Sequence, residues 1–345
     1  MDPTIVLFLA QDGVTNGAIY ALLALSLVLV FTVTRVLFIP QGEFVAYGAL
    51  TLAAFERGTL PLTAWLTVML GVAAFVAGLI LEREARGTAR ILRGLATDVA
   101  LPAALLLAAW LAAPLRAGPW LDIPLTLAII AAQGPYLYRL AFKPLAESSS
   151  LVLFIAAIGV HLALVGLGLV FFGAEGFRTQ PLTNASLALG PALISGQSLW
   201  VMGSTAALIT ALWAFFGHTL TGKALRATAV NRLGARLVGI PTATAGALAF
   251  GLAALVGALS GVLIAPMTTV FYDTGFLAGL KGFVAAIIGG LVSYPLGAVA
   301  ALLVGLCESF ASFYASTFKE VIVFTLIIPV LLWRSLRSGH AEDEE

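Results

Sequence analysis

A chain of 345 residues, 61% hydrophobic and only 10% charged, with mean hydropathy +1.05, cannot cover a soluble globule, in which about a quarter of residues are charged. It has ample material for bilayer spans of about 20 apolar residues each. A net charge of +1 leaves no basic excess for nucleic acid, and the lone Cys307, set in an apolar run, excludes a disulfide framework or a cysteine-based metal site.

The opening MDPTIVLFLAQDG has no basic n-region, so it is not read as a cleaved signal peptide. Apolar runs follow at 14–34, 43–55, 63–81, 99–114, 121–138, 151–172, 199–217, 244–266, 278–292, 296–313 and 320–333. Any that span must be helical, because a lipid-exposed backbone has to satisfy its own hydrogen bonds. None shows the ten-residue alternation of a membrane β-barrel. The pattern predicts an all-α, polytopic bundle of about nine to eleven spans, the run at 278–292 being either a full span or a re-entrant piece. It forms one transmembrane domain over 1–345, with no internal repeat in evidence and a short, solvated acidic tail, AEDEE.

Basic residues orient the bundle. With the N-terminus outside and the C-terminus in the cytoplasm, Arg35, the cluster Arg83, Arg86, Arg90 and Arg93, then Arg139 and Lys143, then Lys223, Arg226, Arg232 and Arg236, and finally Arg334 and Arg337 all fall inside. Those are most of the 18 Lys and Arg residues in the chain.

Ionisable groups within spans are costly and face a cavity or a partner. Gln41, Glu43 and Tyr47 at the start of the second run, with Lys281 and Glu308 in the C-terminal half, are the candidate lining of a translocation path. Two readings are open for the charged members: weak, well-spaced polar sites for a zwitterionic solute, or a Lys281–Glu308 or Lys281–Glu43 pair that fixes packing. Asn16 and Tyr20 are expected to hydrogen-bond between helices. His161 has no second candidate ligand near it in sequence, which favours a packing role over metal or proton chemistry. No catalytic constellation, metal cluster or GxxxxGK[ST] phosphate loop is present, so the chain is expected to be no enzyme and to hold no cofactor of its own.

Between two spans lies HTLTGKALRATAVNRLGARLVGIPTATAGAL, residues 218–248. Leu225, Ala229, Leu233 and Leu237 recur every fourth residue and predict an apolar stripe on one short helix, with Lys223, Arg226, Arg232 and Arg236 on its other sides. Gly239 and Pro241 predict its end. Such a helix either lies among lipid head groups or fits the groove of a soluble partner.

The order of residues bears on that choice. GKALRATAVNRLGARLVGIP resembles the cytoplasmic loop of ABC-importer permeases of the branched-chain amino acid family, the LivH-type inner-membrane subunit. NGAIYALLALSLVLVFTVTRVLFIPQGEFVAYGAL resembles that family's first two helices and their QGE turn. AFGLAALVGALSGVLIAP and GFLAGLKGFVAAIIGGLVSYPLGAVAALLVGLCES resemble its C-terminal half. Departures stand at Phe38 and Pro40 before the turn, at Val230 and Asn231 in the loop, after Leu332, and at 83–120, which is expected to be an added helical hairpin.

The resemblance implies a bacterial-type inner membrane and a set of partners: two ATP-binding subunits that hydrolyse ATP, a second permease, an external solute-binding protein and membrane lipids. It also implies that 218–243 is the coupling loop. Leu225, Ala229, Leu233 and Leu237 would fill the ATPase groove, Arg226, Arg232 and Arg236 would set register, and Gly239 would end the helix. The solute would be a branched-chain or other small amino acid. The alternative class is a secondary transporter driven by an ion gradient, often built around helices broken at mid-membrane. The stretch Gly275–Gly290 has that look, but no matching break is visible in the first half.

Overall fold

The computed structural model describes residues 2–81, 88–189, 192–291 and 293–338. Arg83, Arg86, His340 and the AEDEE tail lie outside these. The chain is a bundle of helices: α1 (Pro3–Thr34), α2 (Gln41–Glu56), α3 (Leu62–Leu81), α4 (Thr88–Gly94), α5 (Leu101–Ala112), α6 (Pro119–Leu137), α7 (Ser150–Phe172), α8 (Gly196–His218), α9 (Leu220–Val230), α10 (Arg232–Leu237), α11 (Thr242–Ile264), α12 (Thr274–Ile288), α13 (Tyr294–Tyr314), α14 (Lys319–Thr325) and α15 (Ile327–Ser338). The two short strands, β1 (Ser186–Leu189) and β2 (Ala192–Ser195), form a hairpin ahead of α8. Among the described residues, eight helical stretches are long and apolar enough to cross a membrane. The short or more polar α2, α6 and α12 pack among them. This is a multi-pass membrane protein.

Side-chain caps start several helices where the sequence supplies them. Asp2 accepts from the Thr4 amide, Ser195 from Ser198, Thr219 from Gly222 and Ser293 from Leu296. α1 runs through the centre, and its Gly13 and Gly17 lie directly on the backbone of α13 around Gly305. Small residues allow that approach, and in lipid, packing of this kind holds helices together.

Contacts between connections show which helix ends lie together. At one end Arg139 clasps Asp98, with Nη1 donating to Oδ1 at 2.7 Å and Nη2 to Oδ2. There too Arg232 donates to the Ala146 carbonyl at 3.2 Å and Arg236 to Glu147 at 3.4 Å. At the other end Arg116 donates to the Arg57 carbonyl at 3.0 Å, Arg178 to that of Pro266 at 2.9 Å, and Phe177 bridges Val270.

Two expectations are corrected here. The segment 83–120 is not a hairpin in its described part: α4, a π-helical turn at Leu95–Ala100 and α5 continue into a single span, Ile91–Leu115, tied to α6 by the Asp98–Arg139 clasp. The amphipathic segment is two helices, because Asn231 leaves the helical region (φ −148°, ψ 102°) and its side chain caps α10 by accepting from the Gly234 amide at 2.8 Å. Gly239 does end that segment: it takes φ +85°, and the Ile240 amide returns to the Ala235 carbonyl at 2.9 Å.

Candidate functional site

α1 ends at Arg35, and the chain then runs back into the bundle as an irregular stretch whose Val36 and Phe38 are buried. Phe38 packs on the rings of Phe44, Phe142 and Phe250, with centroids 4.6 Å apart in the closest case, and Pro40 opens α2. Phe38 and Pro40, departures in the sequence, are thus the residues that build the entry to α2. The Gln41 side chain donates to the carbonyl of Ala253, midway along α11, at 2.9 Å. Glu43 meets Nδ1 of His161, midway along α7, at 2.9 Å. The N-terminus of α2 therefore lies at mid-depth.

The N-terminus of α12 abuts it. Gly42 and Gly275 face each other so closely that a Cβ on either would strike the other's backbone carbonyl. The stretch that looked like a broken helix in the sequence is one continuous short helix, and it starts beside the start of α2. The two short helices run antiparallel and pack side by side through their N-terminal turns, which brings the positive ends of both dipoles near each other. Around it stand Glu43, His161 and Phe276, whose ring lies 4.6 Å from that of His161. Glu43 is 1% exposed, and its Oε2 and the Gln41 Oε1 have no hydrogen-bond partner among the described residues. Tyr47 donates to the Leu164 carbonyl at 2.7 Å.

The other two candidates lie in a separate cluster. Lys281 donates to Glu308 Oε1 and, at 3.1 Å, to Glu320, while the Tyr20 hydroxyl donates to Glu308 Oε2. Ser309, beside Glu308, donates to the Leu9 carbonyl at 2.8 Å and Asp12 at 3.3 Å, and Asn16 donates to Asp12 at 3.4 Å. The Lys281–Glu308 pairing is formed and the Lys281–Glu43 pairing is not. Tyr20 bonds between helices as expected; Asn16 bonds within α1. His161 was read as a packing residue without its partner, Glu43, which stands 118 positions away; Glu320, at the start of an apolar run, was missed. Among the described residues, no group of His, Cys, Asp and Glu is placed to hold a metal.

His161→Phe would strand Glu43 in the core. The expected result is a loss of about 1–3 kcal/mol for the unpaired acceptor, read as a lower melting temperature in detergent and partly restored by adding Glu43→Gln.

The amphipathic segment lies at the end that carries Arg139 and Lys143. Leu225 is 1% exposed and Ala229 half-buried; both pack toward α8 and α11 with Leu29 and Phe216. Leu225 therefore holds the segment on the bundle rather than facing outward. Val230 (85% exposed), Leu233 (67%), Leu237 (80%) and Val238 (76%) form the outward apolar patch. Arg232 and Arg236 reach to the α6–α7 connection, the latter at the surface, and Arg236 also reaches Thr242 at 3.1 Å. Arg226 remains exposed.

Residues 94–331 match the family model described as the permease component of the branched-chain amino acid transport system. The chain belongs to that family. The permease is 33% identical over 211 residues to the high-affinity branched-chain amino acid transport system permease protein LivH of Escherichia coli K12, covering 59% of this chain and 68% of that one. It matches LivH of Salmonella typhimurium to the same extent. BraD of Pseudomonas aeruginosa is 31% identical over 214 residues, covering 60% of the permease and 69% of the relative. The match takes in 94–120, part of the segment expected to be added. PsaBC from Streptococcus pneumoniae in complex with Fab aligns over 94% of the permease at 13% identity with a TM-score of 0.41, a likeness too low to carry function across.

Proposed function

We propose that the permease is the membrane subunit of an ATP-driven ABC importer for branched-chain or other small amino acids, with 1–345 acting as one unit. It lies in a bacterial-type inner membrane with the N-terminus outside and the basic end in the cytoplasm. Two ATP-binding subunits, a second permease and an external solute-binding protein complete the machine, and ATP is the partners' cofactor. The chain itself moves solute and catalyses no reaction.

The observation that carries this reading is the patch at Val230, Leu233, Leu237 and Val238, apolar and exposed at the end with Arg93, Arg139 and Lys143. A groove on a soluble partner accepts such side chains. Arg232 and Arg236 lock the patch to Ala146 and Glu147, so a push on α9 and α10 is passed directly to α6, α7 and α11. In this reading the two arginines transmit motion, while Arg226 and Lys223 meet the partner. Gln41, Glu43 and Tyr47 line the path, and the Lys281–Glu308 cluster holds the helices beside it.

A gradient-driven carrier is the second reading, favoured by the short helices α2 and α12 that both start at mid-depth side by side, since discontinuous helices mark such sites. Uptake of L-leucine into vesicles containing the purified assembly separates the two. Uptake that needs ATP and the external binding protein and ignores ionophores is expected. Uptake by the solitary chain under a proton or sodium gradient contradicts it.

A further inference from the structure

At the end of the bundle away from the patch, a cavity of about 200 Å³ opens between α2, α6 and α11, lined by Leu52, Glu56, Arg116, Asp122, Gln180 and Val262 among others. Asp122 is only 2% exposed, and its Oδ1 has no hydrogen-bond partner. Glu56 lines the same space and accepts only from the Gln180 amide, at 3.3 Å. Neither carboxylate is ion-paired among the described residues. Leaving a buried carboxylate oxygen unpaired is expensive, and an ammonium group in the cavity would relieve Asp122 and also meet Glu56. Arg116, also on the lining, spends Nη2 on the Arg57 carbonyl, leaving other guanidinium donors for an anion.

A second recess of about 290 Å³ shares Pro119, Leu182 and Val262 with the first and is otherwise lined, apart from Ser204, by apolar groups such as Ile123, Pro124, Leu259 and Leu263. One compartment thus offers two carboxylates and an arginine, and its neighbour offers aliphatic surface. Pockets that combine apolar walls with a few placed polar groups are the usual form of small-ligand sites.

We infer that Glu56, Asp122 and Arg116, with the recess at Ile123 and Leu259, form an outer subsite for a zwitterionic amino acid with an aliphatic side chain. Its ammonium sits at the two carboxylates, its carboxylate at Arg116 and its side chain in the recess. This rests on the importer reading and assigns the solute class to residues on one chain. At this end the site would hold the solute before it passes to Glu43 at mid-depth.

The test is saturation-transfer NMR on the full chain in nanodiscs, with L-leucine as probe and 4-methylpentanoate, which lacks the ammonium, as comparator. Leucine is expected to bind at least tenfold more tightly than 4-methylpentanoate, and Asp122→Asn to weaken leucine at least tenfold while leaving the comparator unchanged. If Asp122→Asn is not recovered folded, Ile123→Trp decides, with an expected tenfold fall in preference for leucine over glycine. ATP-dependent leucine uptake by the assembled transporter is measured alongside. Uptake without binding to this chain, or with binding untouched by the substitution, overturns the subsite alone. Absence of both uptake and binding overturns the subsite together with the importer reading beneath it.

Discussion

Lys281→Met is expected to collapse the yield of folded permease, at a cost of about 3–5 kcal/mol, because it leaves Glu308 as an uncompensated buried charge. Lys281 and Glu308 are both buried, and the carboxylate is held by Lys281 on one oxygen and the Tyr20 hydroxyl on the other. The double variant Lys281→Met/Glu308→Gln removes both charges and keeps an acceptor for Tyr20, so part of the loss should return. Membrane yield and thermal melting in detergent read both. If Lys281→Met instead folds normally and only uptake falls, Lys281 belongs to the path rather than to the scaffold.

A comparable loss is expected from Gly275→Val. The obstacle to a Cβ there is the Gly42 carbonyl, which is backbone and has no rotamer by which to move aside. Overpacking against side chains costs about 1–3 kcal/mol; here α2 and α12 themselves would be forced apart, carrying Glu43 and Phe276 away from His161. Gly166→Ala is the control. A Cβ at Gly166 meets nothing within 4 Å, and a glycine inside a helix gives up about 0.5–1 kcal/mol relative to alanine. Gly275→Val should therefore abolish recovery of monodisperse protein, while Gly166→Ala matches or slightly exceeds the parent.

The contrast between these residues shows what the sequence makes legible. The long helices could be read from hydropathy because lipid imposes a length and forbids other backbones. Part of the exposed apolar patch, Leu233 and Leu237, was visible from the four-residue spacing, yet the spacing says nothing about which side faces the bundle. Leu225 and Leu233 look equivalent in the sequence, and only packing against Leu29 and Phe216 sends the first inward. Asn231 was the available signal for the interruption, since asparagine prefers an N-cap to a helix interior, but the regular stripe masked it. Of the pairs across the fold, Lys281–Glu308 stood among the sequence's candidates, whereas Glu43–His161 was not legible. Glu43 and His161 meet because α2 starts at mid-depth, and that start depends on Phe38 nesting among three distant rings. Lys281 had two possible partners in the sequence, and α13 rather than α2 supplies the one it uses.

The importer reading stands on an ATPase docking against α9 and α10, and co-purification tests it most directly. Tagged permease and its Leu233→Asp/Leu237→Asp variant would be drawn from native membranes in mild detergent, with every accompanying chain identified by mass spectrometry. Because both side chains are exposed and touch little of the bundle, the variant should fold. The account predicts an ATP-binding subunit with the parent and its loss, by at least tenfold, from the variant. An ATPase retained equally by both would contradict docking at this patch, and a parent chain that emerges alone yet transports under an ion gradient would contradict the importer itself.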